Sequence, residues 1–167
     1  MKIDRIIVGP LETNCYILSN NNECLVIDPG DEYHKIKKVI GNKKVLGVIV
    51  THYHFDHIGA LCNFDKSLVY DKSNLKEKEY NIGSFKFEVI YTPGHKEDSI
   101  TIYFEKDKIM FTGDFIFKNS FGRTDLDGGS RMDMINSLKK IKRYEKDIII
   151  YPGHGETTFL NDVEFYD

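Results

Sequence analysis

Three cysteines, Cys15, Cys24 and Cys62, with no Cys-x-x-Cys spacing among them, exclude a disulfide framework and a Cys-rich structural zinc site. They read as small buried residues in a reducing compartment, and the expected location is the cytoplasm. No run approaches 18 apolar residues, so no membrane-spanning helix is expected, and Met1 to Pro10 lacks the apolar core of a signal peptide. There is no excess of positive charge: the net charge is −3, which excludes the basic field that a nucleic-acid partner would need. Clusters such as Lys35-Ile36-Lys37-Lys38 and Lys139-Lys140-Ile141-Lys142-Arg143 alternate with apolar residues at helical spacing and read as solvated helix faces. Gly-x-Ser-x-Gly, P-loop and Gly-x-Gly-x-x-Gly motifs are missing too, which argues against a serine hydrolase elbow and a nucleotide site. The partner left is a small-molecule substrate. Repeats, linkers and low-complexity tracts do not occur, and nothing in the chain speaks to oligomeric state.

What is there is one domain's worth of chain, with 167 residues and 41% hydrophobic content, expected to fold as a unit from Met1 to Asp167. Strands are expected at Ile3 to Val8, Thr13 to Leu18, Cys24 to Ile27, Lys44 to Val50, Ser67 to Tyr70, Ser84 to Tyr91, and Asp147 to Tyr151. Ser99 to Phe104 and Lys108 to Phe111 should form a hairpin about Glu105-Lys106-Asp107. Asp31 should open a helix with Ile36, Val39 and Ile40 on one face, stopped by Gly41. Asp56 to Lys66 reads as a short helix, and Ser130 opens an amphipathic helix to about Tyr144. Leu75 to Tyr80 reads as polar surface, and Lys118 to Gly129 as a long loop of the kind that is functional or mobile. The stretch after Glu156 carries no clear assignment. Strands outnumber helices, and their order suggests two sheets covered by helices.

The histidines decide the chemistry. Of six, three fall with an aspartate in Thr51-His52-Tyr53-His54-Phe55-Asp56-His57, just after the apolar run Val45 to Val50. Two more follow strand-like runs and Pro-Gly turns, in Pro93-Gly94-His95 and Pro152-Gly153-His154, and Gly113-Asp114 follows Ile109-Met110-Phe111. Four strand ends thus offer His52, His54, Asp56, His57, His95, Asp114 and His154, enough for two metal ions. Imidazole and carboxylate suit Zn, Fe or Mn rather than Ca or Mg. An open His/Asp site lowers the pKa of bound water toward ~7, so a metal-bound hydroxide is available to a carbonyl carbon at neutral pH. Asp56 can orient it as well as bind metal, and is the best candidate for the base where only one metal is present.

These motifs, with Thr92-Pro93-Gly94-His95, Thr112-Gly113-Asp114 and Tyr151-Pro152-Gly153-His154-Gly155, resemble the metallo-β-lactamase superfamily over about Asp28 to His154. The resemblance implies an α/β fold, the four-layer αββα sandwich. It implies one metal on His52, His54 and His95, and a second on Asp56, His57 and His154, with Asp114 bridging. Asp114 stands where lactamases of the family place a cysteine, and Gly122-Arg123-Thr124-Asp125 with Gly128-Gly129 is similar to the small glyoxalase II-like hydrolases. The implied activity is thioester hydrolysis with zinc. The rivals are a mononuclear iron persulfide dioxygenase on the same fold, a hydrolase of another ester or lactone, and a metal-binding protein without catalysis. The chain departs from full-length glyoxalase II in having no C-terminal helical glutathione-binding domain, and Asp125 and Glu156 stand roughly where that family has tyrosines. Lys96-Glu97-Asp98-Ser99 is more charged than the usual Thr-x-Gly-Ser.

Other residues carry open readings. Asp28 is either a plain turn aspartate or the acceptor for a ligand histidine. Arg123 and Asp125 either touch substrate or form an ion pair that orders their loop, the latter favoured. Asn119 and Ser120 read as surface loop residues and His34 as exposed.

Overall fold

In the computed structural model, residues 1–165 are described. Eleven strands and three α-helices form two sheets, each with a helix on its outer face. The first sheet takes the order β1 (Lys2–Val8), β2 (Thr13–Asn20), β3 (Glu23–Ile27), β4 (Lys44–Ile49), β5 (Val69–Tyr70). Its first three strands are antiparallel, and β4 runs parallel to β3 and β5. The second runs β11 (Thr158–Phe159), β10 (Ile149–Pro152), β9 (Ile109–Gly113), β8 (Ile100–Phe104), β7 (Phe85–Tyr91), β6 (Glu79–Ile82), with β9 and β10 parallel.

The alternation of side chains along each strand sorts the core into layers. Tyr16 and Leu18 of β2, Leu25 and Ile27 of β3, and Ile49 of β4 point between the sheets. There they meet Phe85, Phe87 and Val89 of β7, Ile100, Ile102 and Phe104 of β8, and Ile109 and Phe111 of β9. The intervening residues, Cys15, Ile17, Cys24, Val26 and Val48, face outward against Ile36 and Ile40 of α1 (Tyr33–Ile40). On the far side Tyr103 and Met110 meet Met134, Leu138 and Ile141 of α3 (Arg131–Ile141). This is the expected αββα sandwich.

Several local expectations change. The helix expected over Asp56 to Lys66 is a single turn, α2 (Phe55–Ile58), followed by 3-10 turns at Leu61–Asn63 and Lys66–Leu68. After α2 the chain is pressed against the Pro29-Gly30 loop: Ala60 N–H donates to Pro29 O at 2.9 Å, and a Cβ on Gly59 would lie 2.3 Å from Gly30 O. The stretch from Leu75 to Tyr80 is not all surface. Leu75 is buried, and Glu79–Ile82 pairs with β7 through a turn at Gly83, whose φ of +56° suits glycine. The first helix begins at Tyr33 rather than Asp31, because Glu32 takes the left-handed conformation before it. The last helix is capped by Ser130 and ends at Ile141. After Glu156 the chain adds β11 and a 3-10 turn at Leu160–Asp162; Tyr166 and Asp167 lie outside the described residues. Cys15 and Cys24 are buried as expected, but Cys62 is exposed. No helix among the described residues is long and apolar enough to cross a membrane.

Candidate metal centre

Parallel pairing places the C-terminal ends of β3 and β4 on one rim of the first sheet, and those of β7, β9 and β10 on one rim of the second. The two rims are stitched together where Ile100 N–H donates to Thr51 O at 2.9 Å and Asn14 N–H to Gly153 O at 2.7 Å. All seven sequence candidates meet there. His52, His54 and His95 form one group, and Asp56, His57, Asp114 and His154 another, with the candidate donor atoms of each group within 4.8 Å of one another. Asp114 reaches both: its Oδ2 lies 3.7 Å from His52 Nε2, 3.5 Å from His95 Nε2 and 3.4 Å from His154 Nε2, and its Oδ1 3.2 Å from His57 Nε2.

Each ring is turned by what its other nitrogen touches, and the tautomers follow from those acceptors. His57 Nδ1–H donates to Asp28 Oδ2 at 2.8 Å. His95 Nδ1–H donates to Arg123 O at 2.8 Å, and His154 Nδ1–H to Leu11 O at 3.0 Å. Thr51 gives its hydroxyl proton to Asp28 Oδ2 at 2.6 Å and so accepts from His52 Nδ1 at 3.0 Å. Four Nε2 atoms are thereby aimed inward; those of His57 and His154 face the Asp56 and Asp114 carboxylates, where a bound ion would replace any proton they carry. His54 presents Nδ1 instead, 3.0 Å from His95 Nε2.

Asp28 therefore resolves as the histidine's acceptor, buried at 1% exposure and also receiving Thr51 N–H at 2.8 Å. Its φ of +52° is a strained setting for a non-glycine residue. Arg123 and Asp125 pair with each other at 2.7 and 2.8 Å on the surface, and it is the Arg123 backbone carbonyl that reaches the centre. Lys96 sits 3.4 Å from Asp98, whose other oxygen accepts Tyr53 N–H at 3.0 Å, so the charged loop props the His52–His54 segment. Asn119, Ser120 and His34 are exposed, as expected. Sequence reasoning missed Thr13, whose hydroxyl donates to Asp56 Oδ2 at 2.9 Å; its signal was a Thr-Asn pair opening a strand behind a Gly-Pro turn.

Close backbone approach explains two glycines. A Cβ on Gly153 would lie 2.3 Å from Asp114 Oδ1 and 2.8 Å from His57 Cε1, and one on Gly30 would lie 2.0 Å from Asp56 O.

The two groups differ electrically. Burial, then the neighbouring imidazoles His57 and His95 respectively, push His52 and His54 below the ordinary histidine range. Burial also acts against charge on His154, but the carboxylates of Asp114 and Asp56 outweigh it and push the ring up to about 10. His57 is likewise raised: burial opposes the proton, and Asp28, Asp114 and Asp56 favour it. Asp56 and Asp114 are held far below the usual carboxylate range, because their histidine partners overcome the burial that would raise them.

The donor set fits a metal. Among the described residues, His52 Nε2, His57 Nε2 and Asp114 Oδ1 are buried and make no hydrogen bond, the last two facing each other at 3.2 Å, which is costly unless a cation takes their lone pairs. Three imidazoles on one side and two carboxylates with two imidazoles on the other match the ligand preferences of Zn, Fe and Mn.

A two-sheet sandwich with such a centre on its rim defines a metallo-hydrolase fold. The family model of the metallo-beta-lactamase superfamily matches residues 8–80 and 65–154, and the chain belongs to that superfamily. It is 32% identical to the probable metallo-hydrolase YqgX of Bacillus subtilis (strain 168), over 95% of this chain and 92% of that protein. The hydroxyacylglutathione hydrolase GloC of Haemophilus influenzae is 29% identical over 96% of this chain and 93% of its own. Among solved structures, the BLEG-1 B3 metallo-beta-lactamase superposes with a TM-score of 0.88 at 30% identity, covering 96% and 95% of the two chains. TTHA1623 in a di-iron-bound form superposes with a TM-score of 0.86 at 27% identity, covering 96% of each.

Proposed function

We propose that this chain is a metal-dependent thioester hydrolase of the glyoxalase II-like type, with His52, His54 and His95 holding one ion, Asp56, His57 and His154 a second, and Asp114 shared. The observation that carries this is Asp114: one buried carboxylate whose two oxygens face both groups of histidines. The likeness to GloC supports the substrate class. Bound ions of this kind lower the pKa of a water and polarise a carbonyl oxygen.

The chain's own residues do the rest. Asp56, half-buried, orients the attacking water, and with only the first ion bound it is the group that takes the water's proton on its carboxylate. The water oxygen bonds to the thioester carbon, the carbon–sulfur bond breaks, and the thiol leaves as thiolate. A thiolate leaves easily, so no strong acid is needed at sulfur, and the nearby loops supply none: Arg123 is paired with Asp125, and Lys96 with Asp98. The thiol portion proposed is small and does not require the glutathione tripeptide, because Asp125 and Glu156, standing where the resemblance expects tyrosines, pair with Arg123 and Lys118 instead. The setting proposed is the reducing cytoplasm, which keeps the buried thiols of Cys15 and Cys24 free.

A second reading has its own observation. His52, His95 and Asp114 alone make a two-histidine, one-carboxylate triad, the set that suits mononuclear non-haem iron, and it favours a persulfide dioxygenase. The di-iron form of TTHA1623 makes iron worth testing. The deciding experiment strips the protein with a chelator and reloads it with zinc, manganese or iron. It then assays lactoyl-glutathione, other acyl thioesters, lactones, a cephalosporin and a persulfide. We expect stripping to abolish turnover and thioesters to be the best substrates, with a high KM for glutathione thioesters. Faster lactone or cephalosporin turnover would overturn the thioester assignment, and oxygen uptake with the persulfide on iron alone would establish the dioxygenase.

A further inference from the structure

The start of β2 touches the centre without belonging to it. Thr13 is fully buried, and its Oγ1 donates to Asp56 Oδ2 at 2.9 Å. That same oxygen lies 3.1 Å from His154 Nε2 and 3.3 Å from His57 Nε2, so it is the carboxylate atom that faces the second group. Asn14, also buried, clasps the loop that carries His154. Its Nδ2 donates to Pro152 O at 3.0 Å and Gly155 O at 2.9 Å, and its N–H donates to Gly153 O at 2.7 Å. Tyr16 Oη–H adds a bond to Pro152 O at 2.6 Å, Arg5 one to Gly155 O at 3.1 Å, and the carbonyl of Leu11 receives His154 Nδ1–H. Thr13 pairs directly with His154 in an isolated antiparallel bridge. The hydrogen bonds that orient His52, His54 and His95 come from elsewhere: Thr51, the Arg123 carbonyl, and each other.

We propose that the β1–β2 hairpin is the positioning device of the second metal position, and that Thr13 sets its occupancy by aiming Asp56. The proposal rests on the two-ion reading above. A free aspartate carboxylate turns broadly about its last torsion, so either oxygen can present itself. The Thr13 hydroxyl fills one lone pair of Oδ2 and fixes which oxygen, in which orientation, meets an ion beside His57 and His154. Hydrogen bonds of this kind to ligand carboxylates are worth about 10–100-fold in metal affinity. The first position lacks this dependence. The hairpin therefore lets the two positions be filled with separately tuned affinities.

The test titrates zinc into the chelator-stripped protein by calorimetry, with metal analysis of the filtered complex and circular dichroism as a check on folding. The wild type should take two ions in two resolved steps. Thr13→Val keeps the shape and loses the donor, and should weaken the second step by about 10–100-fold while leaving the first unchanged. Thr13→Ala, which opens space instead of filling it, should do the same, and Thr13→Ser should restore the wild-type titration. Unchanged steps in both donor-less variants, equal weakening of both steps, failure of rescue by serine, or a wild type that takes a single ion would each overturn the proposal. No substrate enters this measurement, so a failure of thioester turnover leaves its result intact.

Discussion

The group His52, His54 and His95 and the group Asp56, His57, Asp114 and His154 share one rim and one bridging carboxylate, yet they rest on different physics. In the first, burial and neighbouring imidazoles hold His52 and His54 neutral, and support comes through Thr51 and a backbone carbonyl. In the second, two carboxylates and two rings face one another at 3.1–3.4 Å, over a buried Asp28 and against the β1–β2 hairpin. The comparison teaches that a nest of neutral lone pairs needs little more than aim. A cluster built on two buried carboxylates needs every member, because removing one partner leaves a carboxylate buried and uncompensated.

The widest separation of the two groups should come from Asp56→Asn. Turnover on the best thioester should fall by roughly 10²-fold or more, the scale of a lost acid–base group, while an ion remains on the three histidines by metal analysis. Near-normal turnover would remove Asp56 from its role. Asp28→Asn comes next. It breaks bonds to Thr51 and His57 in a fully buried setting, and should cost the metal-free protein about 2–3 kcal/mol, or roughly 5–10 °C in Tm by calorimetry. A Tm within a degree or so of wild type would show that the second group does not depend on what lies beneath it. The smallest effect should come from Arg123→Ala. Among the described residues its guanidinium pairs with exposed Asp125, whereas its carbonyl, which the substitution keeps, is what anchors His95. Metal content and Tm should hardly move, and a loss of the first ion would show that the side chain does more than order its loop.

Much of this was legible beforehand because the signals are local. Strands are read from apolar runs bounded by turn residues, and Gly9-Pro10, Pro93-Gly94 and Pro152-Gly153 punctuate them clearly. The ligand types were legible because histidine at strand ends is rare and its spacing here is dense. Less legible were features that depend on what a segment packs against. A helix over Asp56 to Lys66 fits the apolar spacing of Ile58, Leu61 and Cys62, but contact with the Pro29-Gly30 loop ends it after one turn, and Cys62 is left exposed. Glu79–Ile82 reads as polar surface by itself and becomes a strand only because Gly83 folds it onto β7.

The chain by itself determined the two-sheet pattern, the chemical nature of the ligands and the family, since period, turn chemistry and side-chain type are properties of neighbours in sequence. Tertiary structure alone decided which atom of each ligand faces inward. Asp28 meets His57 across 29 residues, Thr13 meets Asp56 across 43, and Asn14 meets Gly155 across 141. The first two contacts exist only once β2, β3 and β4 have aligned in one sheet, and the third only once the two sheets have closed on their shared core. A ring nitrogen or a carboxylate oxygen takes its direction from a partner the local sequence does not name.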